Sequence, residues 1–260
     1  MKYTGPLDAV PLWALFALTI VGVGFAVEIG YRVGKHRRSR APETEAPVGS
    51  MVAAMLGLLA FMLAFTFGFA AARFDDRKRS ILEEANAIGT AYLRAAMLPE
   101  LQQSAIRQLL RQYVDARLEG AQPGQLSPAI AKSTELHQKL WDQATEVAKI
   151  DPHSIVYGLF IQSLNQVIDL HSARLVLGVR SRLPVTVWGA LFLVALSSMM
   201  TVGYQEGLSG TRRSPASLGL VVAFSVVLFL IVDLDRPLGG LIQTSQQVLV
   251  DLQSSINAPK

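Results

Sequence analysis

The stretch GSMVAAMLGLLAFMLAFTFGFAAARFDDRKR, from Gly49 to Arg79, decides how this chain folds. Gly49 to Ala72 carries no charge, and a helix rising about 1.5 Å per residue needs about 20 apolar residues to cross a hydrocarbon core. Charge then arrives abruptly at Arg73, Asp75, Asp76, Arg77, Lys78 and Arg79. No glycine or proline stops the helix at that boundary, so it is predicted to leave the bilayer and run to about Leu98, where Pro99 breaks it. Within the span, Ala60, Ala64, Gly68 and Ala72 recur every four residues, a face small enough for close helix approach in lipid. Phe61, Phe65 and Phe69 form the adjacent stripe. Were this helix to face the axis of a symmetric oligomer, those rings would make a hydrophobic constriction of the kind that gates by dewetting. Arg73, Asp75 and Asp76 would then ring its mouth. The plainer alternative sets the rings against lipid or the other spans and leaves the charges to mark the membrane boundary.

Working outward, three more uncharged runs appear: Ala9 to Val27, Leu183 to Gln205 and Ser214 to Val232. With 51% hydrophobic and 17% charged residues, four such runs are hard to house in one small water-soluble core. The expected class is therefore an all-α integral membrane protein with four transmembrane helices, its first partner the lipid bilayer. Lys2 alone precedes the first run, whereas Arg32, Lys35, Arg37, Arg38 and Arg40 follow it, which suits a retained anchor better than a cleaved signal peptide. The basic residues cluster beside the membrane ends, as anionic headgroups favour, and form no stripe that would suit nucleic acid. The absence of cysteine excludes disulfides, thiolate metal sites and a cysteine nucleophile.

The domain reading follows: 1–72 holds spans one and two with a basic loop, 73–183 an extramembrane four-helix bundle, 184–234 spans three and four, and 235–260 an amphipathic C-terminal helix. In the bundle, Leu101, Ile106, Leu110, Tyr113, Val114 and Leu118 recur at helical spacing between Glu100 and Glu119, and Gly120, Pro123 and Gly124 make a turn. Ser127 is expected to cap the next helix, with Pro128 at its first position, as far as Ile150. A further helix runs from Ile155 to Ser181, and Pro184 marks the junction with the third span. Helix one is expected to end near Tyr31, and Leu241 to Ile256 to form the terminal helix. Five basic residues in the first short loop, with Arg212 and Arg213 in the second, place both loops in the cytoplasm of a bacterial inner membrane and the bundle outside.

Chemistry is sparse. Glu28 lies almost within the first apolar run, where an acid is a functional candidate by default, yet Arg32 one turn later offers an interfacial partner. Asn86 and Thr90, four apart among alanines, suggest a tight helix crossing with buried hydrogen bonds. Glu83, Glu84, Asp169 and His171 would approach one another if the first and last bundle helices were neighbours, but their spacing is not that of a metal site, and none is predicted. His36, His137, His153 and His171 are far apart in sequence, in loops or on faces that read as exposed. With no phosphate-cradling loop, zinc-helix motif or nucleophile elbow, neither enzymatic activity nor a cofactor is expected.

The stretch Glu83-Glu84-Ala85-Asn86-Ala87-Ile88-Gly89-Thr90-Ala91-Tyr92-Leu93-Arg94, then Leu98-Pro99 and the distant Asp233-Leu234-Asp235-Arg236-Pro237-Leu238-Gly239-Gly240, resembles the signature of a bacterial bestrophin-like membrane family. The resemblance covers most of the chain and assigns Glu84, Asn86, Thr90, Arg94, Asp233, Asp235, Arg236 and Pro237 to its motifs as structural residues. Bestrophins are pentameric anion channels whose second span lines the pore. The resemblance thus implies a homo-oligomer, a pentamer by that analogy, passing small inorganic ions; it transfers no pore residue, and Phe61, Phe65, Phe69, Arg73 and Asp76 stand as pore or gate candidates on the stripe and its charged mouth alone. No calcium-binding residue carries over. Bestrophins keep their helical domain cytoplasmic, opposite to the placement from loop charge. The competing expectation is a non-conducting sensor or scaffold in which the spans only anchor the bundle. A secondary transporter is disfavoured, since no span is broken near its middle.

Overall fold

The computed structural model describes residues 10–40, 45–210, 215–237 and 239–258, without the side chains of residues 45, 46, 179 and 180. Lys2, Pro42, Arg212, Arg213, Leu238 and Lys260 lie outside the described residues. Eight α-helices are present among them: α1 (Leu12–Arg40), α2 (Glu45–Arg94), α3 (Glu100–Glu119), α4 (Leu126–Ile150), α5 (Ile155–Leu175), α6 (Val185–Ser209), α7 (Pro215–Asp235) and α8 (Gln247–Asn257). No strand occurs among the described residues. Helices α1, α2, α6 and α7 are long and apolar enough to cross a membrane. The chain divides into two compact units, Met1–Arg73 with Arg182–Ile242, and Phe74–Ser181 with Gln243–Lys260.

In the first unit, α1 and α6 meet backbone to backbone. Gly30 and Gly34 on α1 face Gly203 and Gly207 on α6: a Cβ at either of the first pair would fall on the carbonyl of Met200 or Tyr204, and at the second pair on that of Val27 or Tyr31. Lipid tails are as apolar as leucine, so packing rather than water expulsion must hold such helices, and glycine permits the closest packing. Phe16 of α1 meets Phe229 of α7 edge to face at 5.3 Å between ring centroids. Helix α2 joins through Ser198 Oγ, which donates to the Met55 carbonyl at 3.1 Å.

A polar turn closes one end of this unit. The Asp233 carboxylate accepts the backbone N–H of Leu241 (2.7 Å) and of Ile242 (2.9 Å). Asp235 accepts the N–H of Leu183 at 2.9 Å and lies 3.7 Å from Arg73 Nη1. Arg236 donates to the carbonyl of Val10 at 2.6 Å. All three side chains are buried, so the motif at the end of α7 is a clasp on residues flanking the other spans.

The second unit is built from the remainder of α2 with α3, α4, α5 and α8. Ile88, Ile106, Leu110, Leu140, Phe160, Leu164 and Val167 form its fully buried centre. Arg94 donates to the carbonyl of Leu159 at 2.7 Å and ties α2 to α5. Helix α8 docks through Leu249 and Ile256, and Tyr92 and Arg111 both donate to the Ile256 carbonyl, at 3.0 and 3.1 Å.

Several boundaries differ from expectation. Helix α1 continues through Lys35 to Arg40 instead of ending near Tyr31. Helix α4 begins at Leu126 with Gln125 as cap, so Ser127 is already helical and its hydroxyl caps nothing. Helix α5 ends at Leu175 in a π-helical turn, Val176–Arg180. Helix α8 starts at Gln247 rather than Leu241, because Asp233 takes the amides of Leu241 and Ile242 and holds that segment irregular.

Candidate functional site

On α2 in the first unit, Leu59, Leu63, Thr66 and Ala70 face inward and are buried. Phe61, Phe65 and Phe69 face away, at 68%, 59% and 49% exposure, which leaves the stripe free of its own chain. Phe61 and Phe65 are near parallel with centroids 6.2 Å apart, and Phe65 meets Phe69 edge to face at 4.6 Å. The small-residue stripe splits: Ala60 and Ala64 line an apolar groove of about 480 Å³ with Leu63, Phe67 and the α7 residues Ala223, Phe224, Val227 and Leu230, whereas a Cβ on Gly68 would meet nothing. Asp75 and Asp76 are exposed, but Arg73 is drawn to Asp235. Glu28 accepts from Arg32 Nε at 2.7 Å, the interfacial pair that their spacing allows.

The second unit holds a polar cluster that the sequence reading largely missed. Glu84 of α2 is wholly buried. One of its oxygens accepts from Arg174 of α5 at 2.5 Å; the other accepts from the Tyr113 hydroxyl of α3 at 2.7 Å and lies 3.1 Å from Arg117 Nε. His171 Nδ1 of α5 is 3.1 Å from the Tyr113 hydroxyl. His137 of α4 packs its ring 4.8 Å from those of both Tyr113 and His171, so all four bundle helices contribute. Burial alone would raise the Glu84 carboxyl, but Arg174, Arg117 and the Tyr113 hydroxyl outweigh it and hold it below the usual carboxylate range. Burial, then the Glu84 charge, pushes the Tyr113 hydroxyl well up. Burial also lowers both histidines to about 4, helped at His171 by Arg117.

The expected set thus comes apart: Glu84 and His171 come within 4.0 Å, while Glu83 and Asp169 are exposed. Asn86 and Thr90 are exposed too, not buried at a crossing. His137, read as exposed, belongs to the buried cluster. No group of three metal-ligating side chains suited to an ion occurs among the described residues, and the two arginines beside Glu84 oppose a cation there.

Four apolar helices of spanning length make the chain a multi-pass helical membrane protein. The family model for the bestrophin-like domain matches residues 16–249, and the chain belongs to that family. No curated protein and no solved structure matches it.

Proposed function

We propose that this protein is a homo-oligomer that conducts small inorganic ions across a bacterial inner membrane, with α2 toward the symmetry axis. The observation that carries the reading is the outward stripe of Phe61, Phe65 and Phe69 on a helix whose opposite face is buried within its own chain. Three aromatic rings repeated around an axis make a ring-lined constriction that water leaves readily. Family membership supports the reading, since the family takes its name from a class of anion channels. Asp76 would stand beyond the constriction as a ring of charge, with five copies if the assembly is pentameric. The second unit would sit outside the bilayer, in keeping with its exposed ion pairs Lys132–Glu119, Lys139–Glu135 and Lys149–Glu146.

The test is single-channel recording from the purified oligomer in planar bilayers. Current is expected, with Phe65→Ser raising the open fraction; silence across varied ions, pH and calcium from an oligomer of verified mass would overturn the reading. The bundle's side follows from Thr145→Cys, the only cysteine such a variant would contain. Labelling of intact spheroplasts by an impermeant maleimide is expected if loop charge sets the topology. A non-conducting sensor is the second reading, favoured by the buried cluster around Glu84, and a monomer or dimer without an axial helix would select it.

A further inference from the structure

The hydrogen-bond chain in the second unit fixes where each proton sits. Glu84 is ionised and accepts only, so the single proton of the Tyr113 hydroxyl goes to it. The hydroxyl oxygen is then an acceptor, and His171 Nδ1 at 3.1 Å must carry a hydrogen to meet it. A neutral imidazole has only one such hydrogen, so His171 Nε2 is a bare lone pair. That atom is buried without a hydrogen-bond partner, as is Nε2 of His137, whose ring stands 4.8 Å away at 86°.

Burial opposes a charge on either ring, and the neighbouring charges differ: at His137 the attraction of Glu84 exceeds the repulsion of Arg117, whereas at His171 the repulsion of Arg117 and of a charged His137 comes first. Helix α2 presents Glu84, with buried Arg77 two turns earlier; α3 presents Tyr113 and Arg117; α5 presents Arg174; and α8 has only Asp251, which is exposed. A proton arriving at His171 Nε2 meets Arg117, Arg174 and one carboxylate already engaged by both, and its new N–H finds no acceptor; at His137 the added charge is buried.

We infer that His137 and His171 form an acid-operated latch: taking up protons there breaks the Glu84 cluster and parts α4 and α5 from α2 and α3. Burial of both rings in the neutral form gives the sign. The closed form resists protonation down to about pH 4, whereas a solvated histidine takes its proton near 6.5. The histidines' contribution to closure is therefore complete above about pH 6.5, is lost as pH falls toward about 4, and changes no further below that, where protonation of Glu84 weakens the cluster in its turn. At pH 5 each histidine favours the open form by about 20-fold relative to pH 7. The inference does not require that the protein conduct.

Hydrogen exchange of the full-length protein in lipid nanodiscs, corrected for the intrinsic pH dependence, reads this directly. Between pH 7 and 5, protection of α4 and α5 should fall at least about 20-fold while α1 and α6 hold theirs. His137→Phe keeps the ring packing, and His171→Asn keeps a donor for the Tyr113 oxygen; the double variant should retain protection at pH 5, and each single variant should show a smaller pH effect than wild type. Wild-type protection unchanged at pH 5, or an equal loss in the variants, would overturn the latch. Should the double variant be open already at pH 7, the single variants and the position of the wild-type midpoint between pH 4 and 6.5 decide in its place.

Discussion

The two units hold their helices together by opposite means. In the first, α1 and α6 meet through Gly30, Gly34, Gly203 and Gly207, each lying on its neighbour's backbone. In the second, an apolar centre of Ile88, Leu110, Leu140 and Phe160 surrounds a polar cluster anchored on Glu84. With the second unit outside the bilayer, as proposed, the difference follows from the solvent. Where water surrounds a bundle, burying leucine and isoleucine stabilises it and leaves room for a polar cluster that specifies register. Where lipid surrounds the helices, apolar side chains discriminate little between partner and solvent, and the advantage passes to residues that let two backbones touch.

Substitutions sharpen that contrast in descending order of effect. Glu84→Gln leaves Arg117 and Arg174 buried without their shared counter-charge, which should cost about 3–5 kcal/mol; chemical denaturation followed by hydrogen exchange should place the loss in the second unit alone. Gly203→Ala sets a methyl group on the Val27 carbonyl, and separating the backbones should cost about 1–3 kcal/mol. The thermal midpoint in detergent would fall, while Gly189→Ala on the same helix, whose Cβ would meet nothing within 4 Å, should leave it unchanged. Arg94→Ala removes the strut to the Leu159 carbonyl and should cost about 1–2 kcal/mol, visible as faster exchange at the start of α5. Lys139→Ala breaks the exposed pair with Glu135, which water screens, and should leave the thermal midpoint unchanged.

The spans were legible because their signal is a sum over about 20 residues, which single substitutions cannot hide. So was the passage of α2 beyond Ala72, since nothing at that boundary can stop a helix. The glycine pairs are spelled out too, at four-residue spacing, but the small residues of α2 share that spacing, and spacing alone does not say which face meets a neighbour. The Glu84 cluster was not legible. Its members come from four helices with no shared spacing, and His137 sits between Leu136 and Leu140, where a lone histidine reads as a helix surface. Only the packing of α4 against α3 and α5 turns that ring inward. Asn86 and Thr90 failed for the complementary reason: their spacing defines a face, but not whether that face points toward the chain's own core.

The clasp formed by Asp233, Asp235 and Arg236 restricts how the spans can move. Through Val10, Arg73 and Leu183 it grips the chain beside the first, second and third spans at one end, while itself belonging to the fourth. A piston stroke of any one helix along the bilayer normal would tear those bonds. Rocking would keep them, with the clasped end as a fulcrum and the far ends free to splay.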